Sequence, residues 1–280
     1  MNEPKTVRSA HPVSDEMRAT VLGVLARVER EHDVRILFAC ESGSRGWGFA
    51  SPDSDYDVRF LYVQRLRWHL TVEPGRDVVE EPISGELDVG GWELRKALGL
   101  LRDSNPTLLE WLRSPIVYRQ DDAWVARLRT LAQDKFSPVR GYHHYVSMAR
   151  KNLREHLRGE SVRYKKYLYV LRPLLAARWI REGRGVPPMR FADLVAATSL
   201  DAALVAEIDV LLEAKMRAGE ATSPRRVGIH DFIERELAVA EAHAFDRQAK
   251  APTQPLDDFL HDAVRHFDAR LTTTTKKRDS

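Results

Sequence analysis

Two short runs rich in β-formers, Val34–Cys40 (VRILFAC) and Tyr56–Val63 (YDVRFLYV), flank a loop that carries Gly43, Gly46 and Gly48 and runs into Asp55-Tyr56-Asp57. Runs of this length and composition predict strands, the first buried and feeding a Gly-Ser turn. On a strand alternate residues share a face, so Asp55 and Asp57 are expected to project together while Tyr56 points away. Two carboxylates side by side raise one another's pKa unless a cation lies between them. Mg²⁺ is the natural hard cation for such a pair together with substrate phosphate oxygens. Gly43 lets the backbone approach a phosphate closely, and Ser44 offers it an N–H and a hydroxyl. One short piece of chain thus supplies a phosphate cradle and a metal pair.

Counting residues removes three other readings. A P-loop needs Gly-x-x-x-x-Gly-Lys-Ser/Thr, which does not occur. The three glycines have the wrong spacing for a dinucleotide fingerprint. An EF-hand starting at Asp53 would place Val58 where glycine is required and Gln64 where the closing glutamate belongs.

The rest of the chain divides in character near Tyr118. Before it, apolar spacing predicts a helix over 14–32 with Ser14 as N-cap, a hairpin or excursion built from Trp68–Val72 and Asp77–Glu80, and a third strand at Glu86–Gly90. Helices follow near Trp92–Leu101 and after Asn105-Pro106. Beyond it, helices are expected near 122–133, 138–158, 163–182, 202–218, 229–247 and 256–270. The expected fold class is therefore α+β: an α/β domain over 1–118, a helical domain over 119–272, and a flexible tail over 273–280. Hydrophobic residues make up 43% of the chain, enough for a buried core in each part. No apolar run reaches the roughly 20 residues of a membrane span. The first residues do not resemble a secretory signal, and Cys40 is the single cysteine, so a cytoplasmic location is expected. The formal charge is only +3. Arginines and lysines nevertheless crowd residues 140–190, which fits either a polyanion surface or the solvated faces of two amphipathic helices.

Gly-Ser, an intervening loop and Asp-x-Asp on a strand resemble the DNA polymerase β-like nucleotidyltransferase superfamily. The longer string GSRGWGFASPDSDYDVR resembles one branch of it, the RNA repair pathway DNA polymerase β family of RNA ligase-associated nucleotidyltransferases. LDVGGWELRKALGLL, NPTLLEWLRSPIVY and KKYLYVLRPLLAARW extend the resemblance over most of residues 34–190. It implies a polymerase β-like catalytic domain with a mixed sheet over 1–118, and a third carboxylate on a neighbouring strand, for which Asp88 is best placed and Glu86 the runner-up. It further implies two Mg²⁺ ions, with Mn²⁺ as a substitute. Asp55 and Asp57 would hold the nucleotide-side ion and Asp88 would complete the acceptor-side one. A lysine of the helical region is expected on the triphosphate, which nominates Lys165 and Lys166, with Arg172 sharing their helix and Arg45 beside the turn. The implied reaction moves a nucleoside monophosphate from NTP to a hydroxyl and releases pyrophosphate. An RNA end is the expected acceptor, with a functional link to an RNA ligase. A protein or small-molecule acceptor stays open at this point, as does a non-catalytic nucleotide sensor.

The remaining polar residues of these blocks receive quieter roles. Asp53 is expected to cap the turn, Arg59 to pair with the carboxylates, Trp47 to pack over the loop and Glu41 to be a loop acid. Asn105 reads as a helix cap. His143 and His144 point about 100° apart on a helix and suit a surface, and Cys40 reads as a small buried apolar residue.

Overall fold

A computed structural model describes residues 11–218, 222–245 and 252–276. Helix α1 (Asp15–His32) starts where Ser14 accepts a hydrogen bond from the Met17 N–H, and leads into β1 (Arg35–Glu41). A single turn of helix, α2 (Gly43–Trp47), separates β1 from β2 (Tyr56–Val63). There follow α3 (Leu66–His69), β3 (Val78–Glu80), β4 (Leu87–Glu93), α4 (Leu94–Arg102), α5 (Pro106–Leu112) and β5 (Val117–Gln120). The five strands form one mixed sheet in the order β3-β4-β2-β1-β5, with β2 and β4 parallel and the other neighbours antiparallel.

The sheet buries both faces, which explains the unbroken apolar run of β1. On one face Ile36, Ala39, Val58, Phe60 and Tyr62 meet Val21, Leu25 and Val28 of α1. On the other, Leu37, Cys40, Leu61 and Val63 pack under α4 and α5 and under two later helices, α6 (Asp122–Asp134) and α12 (Gln254–Lys276). Gly91 of β4 has no side chain because the Phe60 ring of β2 occupies that space.

A second core surrounds α8 (Tyr164–Arg181), which is apolar on nearly every side and is therefore the central helix. Around it lie α7 (Pro138–His156), α9 (Phe191–Ala197), α10 (Ala202–Ala218) and α11 (Val227–Ala242). A two-stranded ribbon pairs β6 (Ser161–Arg163) with β7 (Thr222–Pro224). Pro173 lies inside α8 and has no N–H for the carbonyl of Tyr169. Asn152 of α7 donates its side-chain amide to that carbonyl instead, at 3.0 Å.

Several expectations are corrected here. Residues 66–69 form a helical turn rather than a strand, and β3 pairs with β4 instead of with 68–72. A boundary at 118 falls inside β5, which pairs with β1. Helices α6 and α12 cover the sheet, so the helical region after 118 serves both cores. Helix α12 continues through Lys276, so the expected tail over 273–280 begins inside a helix; residues 277–280 lie outside the described residues. Among the described residues no helix is long and apolar enough to cross a membrane.

Candidate active site

The site grows from the ends of β1, β2 and β4. The Ser42 N–H donates to the Asp57 carbonyl at 2.8 Å, and the Asp57 N–H donates to Glu41 Oε1 at 2.8 Å, so the turn after β1 is tied to the start of β2. Gly43 follows with φ of +55°, a conformation that L side chains rarely adopt. A β-carbon there would overlap the Asp57 carboxylate. The glycine is thus required twice, for its backbone angle and for the space it leaves to Asp57.

Glu41 is fully buried rather than a loop acid. The Tyr118 hydroxyl donates to its Oε2. Burial pushes the Glu41 carboxyl up to about 7, against the hydrogen bonds from Tyr118 and from the Asp57 backbone.

Parallel pairing sets Asp57 directly beside Asp88. Arg59, two residues beyond Asp57 and on the same face, closes the pair: its Nη2 lies 2.7 Å from Asp88 Oδ2 and 3.2 Å from Asp57 Oδ1. Its Nη1 donates to the carbonyls of Val58 and Asp88, each at 3.1 Å. Burial raises the Asp57 carboxyl above its ordinary range; Arg59 opposes this, and the neighbouring charges of Asp88 and Asp55 add to it. Asp55 precedes the strand and is exposed, so it shares the cleft with Asp57 without sharing β2. Glu86 is also exposed and precedes β4, contributing only its carbonyl, to the Tyr56 N–H at 2.7 Å.

A cleft of about 510 Å³ opens beside Asp55, Asp57 and Arg59, and Asp88 lies outside its lining. Gly43, Ser44, Asp55, Asp57 and Arg59 line it together with Lys165 of α8 and Lys215 of α10. Trp47, Trp111 and Tyr169 add an aromatic border. Lys215 is 5% exposed and donates to Ser51 Oγ at 2.5 Å and Ser54 Oγ at 3.3 Å, joining the helical core to the loop before Asp55. A hydrogen bond from Ser51 holds the exposed Asp53 carboxyl below its ordinary range, and the charges of Lys215 and Lys165 act in the same direction. The sequence reading missed Lys215. Its signal was spacing: Leu204, Ile208, Leu211 and Lys215 recur at helical intervals, and the first three are core residues.

Three nominated cations are engaged elsewhere. Arg45 is buried, donates to the carbonyls of His11, Ser54 and Asp55, and lies 3.8 Å from the centre of the Tyr56 ring. Its work is to fold the Gly-Ser loop. Lys166 lies outside the cleft lining, with Nζ 3.2 Å from His156 Nε2 and 5.4 Å from the Tyr169 ring centre. Arg172 is 2% exposed and pairs with Glu110 at 2.8 Å. Trp47 Nε1 and the Tyr145 hydroxyl donate to the same carboxylate, and the Arg172 guanidinium lies 4.5 Å from the Trp47 ring centre. This network couples α2, α5, α7 and α8, so Arg172 positions the turn's tryptophan and does not reach the cleft.

Much of the basic block is paired as well. Arg140 meets Asp103, Arg150 meets Glu241, and Arg178 and Arg181 share Glu236. Those four residues form ion pairs on the helical surface instead of a continuous extension of the cleft.

The buried pair yields a stability prediction. Glu110→Ala leaves the Arg172 guanidinium buried without its carboxylate, which costs about 3–5 kcal/mol. Urea unfolding should show that loss, and Glu110→Leu combined with Arg172→Met should recover only part of it, because Trp47 Nε1 and the Tyr145 hydroxyl still lack their acceptor. A single variant as stable as the parent would refute the account.

The fit to a divalent cation divides in two. Among the described residues, no three acidic, histidine or cysteine side chains converge into a ready-made metal cage. Asp55 and Asp57 border the cleft beside Gly43 and Ser44, and oxygen donors of this kind suit Mg²⁺ or Mn²⁺ shared with a phosphate. The space between Asp57 and Asp88 is already held by a guanidinium.

An uncharacterized protein of Bacillus subtilis (strain 168), YcgL, is 47% identical over 251 residues, spanning 89% of this chain and 96% of its own. A nucleotidyltransferase-like protein from Exiguobacterium sibiricum 255-15, known from a crystal structure, aligns over 94% of this chain and 81% of its own at 13% identity, with a TM-score of 0.30. Residues 17–262 match the RNA repair pathway DNA polymerase beta family, a span that includes the sheet, the Gly-Ser turn, all three aspartates and both cleft lysines. By that match the chain belongs to the RNA repair pathway DNA polymerase beta family.

Proposed function

We propose that this chain is a metal-dependent nucleotidyltransferase that moves a nucleoside monophosphate from NTP to an RNA 3′ end, releasing pyrophosphate, in the cytoplasm and in functional association with an RNA ligase. The observation that carries the reading is the pairing of Asp57 with Asp88 beside Gly43, at a cleft that Lys165 and Lys215 also line. Asp55 and Asp57 would hold Mg²⁺ or Mn²⁺, which when bound neutralises triphosphate oxygens and makes pyrophosphate a better leaving group. Gly43 and Ser44 give a phosphate close access to the backbone and a hydroxyl. Lys165 and Lys215 balance charge that the metal leaves uncompensated. The aromatic border of Trp47 and Tyr169 offers flat faces for a base. No covalent nucleophile is required, because positioning and charge neutralisation suffice for phosphoryl transfer. The RNA acceptor rests on the family's assignment to RNA repair.

The test is incubation with α-labelled NTPs and Mg²⁺, adding RNA, DNA or cell protein in turn. Label on RNA supports the proposal. Label on protein points to protein nucleotidylation, and label on neither, with NTP still bound, points to a nucleotide sensor. Lys165→Ala should raise the KM for NTP about 10- to 100-fold, the equivalent of one charge-assisted hydrogen bond, with a smaller effect on kcat. An unchanged KM would remove Lys165 from the phosphate site.

A further inference from the structure

The position between Asp57 and Asp88 is where a second divalent ion is expected, and Arg59 fills it. Its guanidinium makes four hydrogen bonds there, two to carboxylates and two to strand carbonyls. Those carbonyls belong to Val58 and Asp88, so the strand pair itself fixes the group between the two acids. The side chain is only 21% exposed.

Charge sets the consequence. Among Asp55, Asp57 and Asp88 the Arg59 guanidinium offsets one of three negative charges, which leaves two for a single divalent ion. A second ion would have to displace or oppose a fixed cation, at a point where no phosphate has yet arrived to compensate.

We propose that Arg59 is the resident cation of the acceptor-side position, so that the nucleotide-free protein binds one divalent ion, on Asp55 and Asp57, and not two. This rests on the metal-dependent reading of Asp55 and Asp57 given above. Arg59 acts as a positioning residue: it holds Asp88 against Asp57 and excludes a competing ion from the pair.

The experiment counts ions in the absence of nucleotide. Mn²⁺ is titrated into the full-length protein, and free Mn²⁺ is measured from its EPR signal, with isothermal titration calorimetry as a second reading. The wild type should bind one ion. Arg59→Met should bind two, and Arg59→Lys, which keeps the charge, should bind one. A purely structural role would lower the melting temperature of Arg59→Met without changing its count. Two ions on the wild type, or one on a folded Arg59→Met, overturns the inference while leaving the metal-dependent reading intact. No ion on the wild type overturns both. Should Arg59→Met fail to fold by circular dichroism, Asp88→Asn decides the matter. That variant is expected to keep the single ion with affinity within about threefold of wild type, whereas Asp55→Asn should lose it. Loss of the ion in Asp88→Asn would place the resident metal on Asp88 and reject the role given to Arg59.

Discussion

Asp57→Asn is expected to lower kcat/KM for nucleotide transfer by about a hundred- to a thousandfold, the scale of removing one essential electrostatic contact, with the fold unchanged. The backbone of Asp57 is fixed on both sides, its N–H by Glu41 and its carbonyl by Ser42, and neither bond involves the side chain. An amide of the same shape therefore fits without disturbing β2. What changes is charge. The carboxylate stands between Gly43 and Arg59 and borders the cleft, and an amide is a far weaker ligand for a hard cation. The effect on stability should be small, because two contributions oppose each other. Losing the anion relieves burial and the repulsion of Asp88 and Asp55, but it also removes a partner from Arg59. Label incorporation from NTP, together with thermal melting, measures both. Near-normal turnover in a well-folded variant would exclude Asp57 from catalysis.

The part of this site that was legible in the sequence is the part written in strand periodicity. Buried β runs and a glycine-rich turn located β1, β2 and the Gly-Ser loop, and Glu86–Gly90 located most of β4. Asp88 is nominated by the family resemblance, and its register beside Asp57 comes only with the parallel pairing. Asp55 shows the limit of that logic. Alternation placed it on the strand with Asp57, but β2 starts at Tyr56, because Arg45 takes the carbonyls of Ser54 and Asp55 and bends that segment into the loop. Arg45 and Arg172, nominated for phosphate, meet buried acceptors in the structure, and sequence gives no warning of it for a related reason. A cation that satisfies buried acceptors looks the same in a sequence as one that meets a phosphate.

The distinction lies in the neighbours. Arg172 sits in YLYVLRPLLAA and Glu110 in TLLEWL, two apolar contexts that each bury a charge and therefore each require a partner. Glu41, in an apolar strand, is a third case. Lys215 was hidden because its partners, Ser51 and Ser54, are more than 160 positions away in the chain. The same distance concealed the return of α12 to the sheet, which no local pattern announces.

Gly43→Ala is expected to lower activity at ordinary Mg²⁺ about as far as Asp57→Asn does, although it removes no functional group. Two costs coincide at this position. The left-handed backbone angle of +55° costs about 1–2 kcal/mol for an L side chain. The new methyl would also occupy the place of the Asp57 carboxylate, which must then rotate away or push the turn outward. Rotation toward Arg59 strengthens an existing ion pair and draws the carboxylate off the cleft, so the variant should fold yet bind metal weakly. The two variants then separate by titration. In Gly43→Ala every carboxylate is still present, so raising Mn²⁺ should restore part of the activity by mass action. In Asp57→Asn the anionic ligand is replaced by a weak neutral one, and the same Mn²⁺ concentrations should restore far less. Wild-type activity in Gly43→Ala at low Mg²⁺ would show that the close approach of Asp57 to the turn is not needed, and equal rescue of both variants would show that Asp57 is not a ligand.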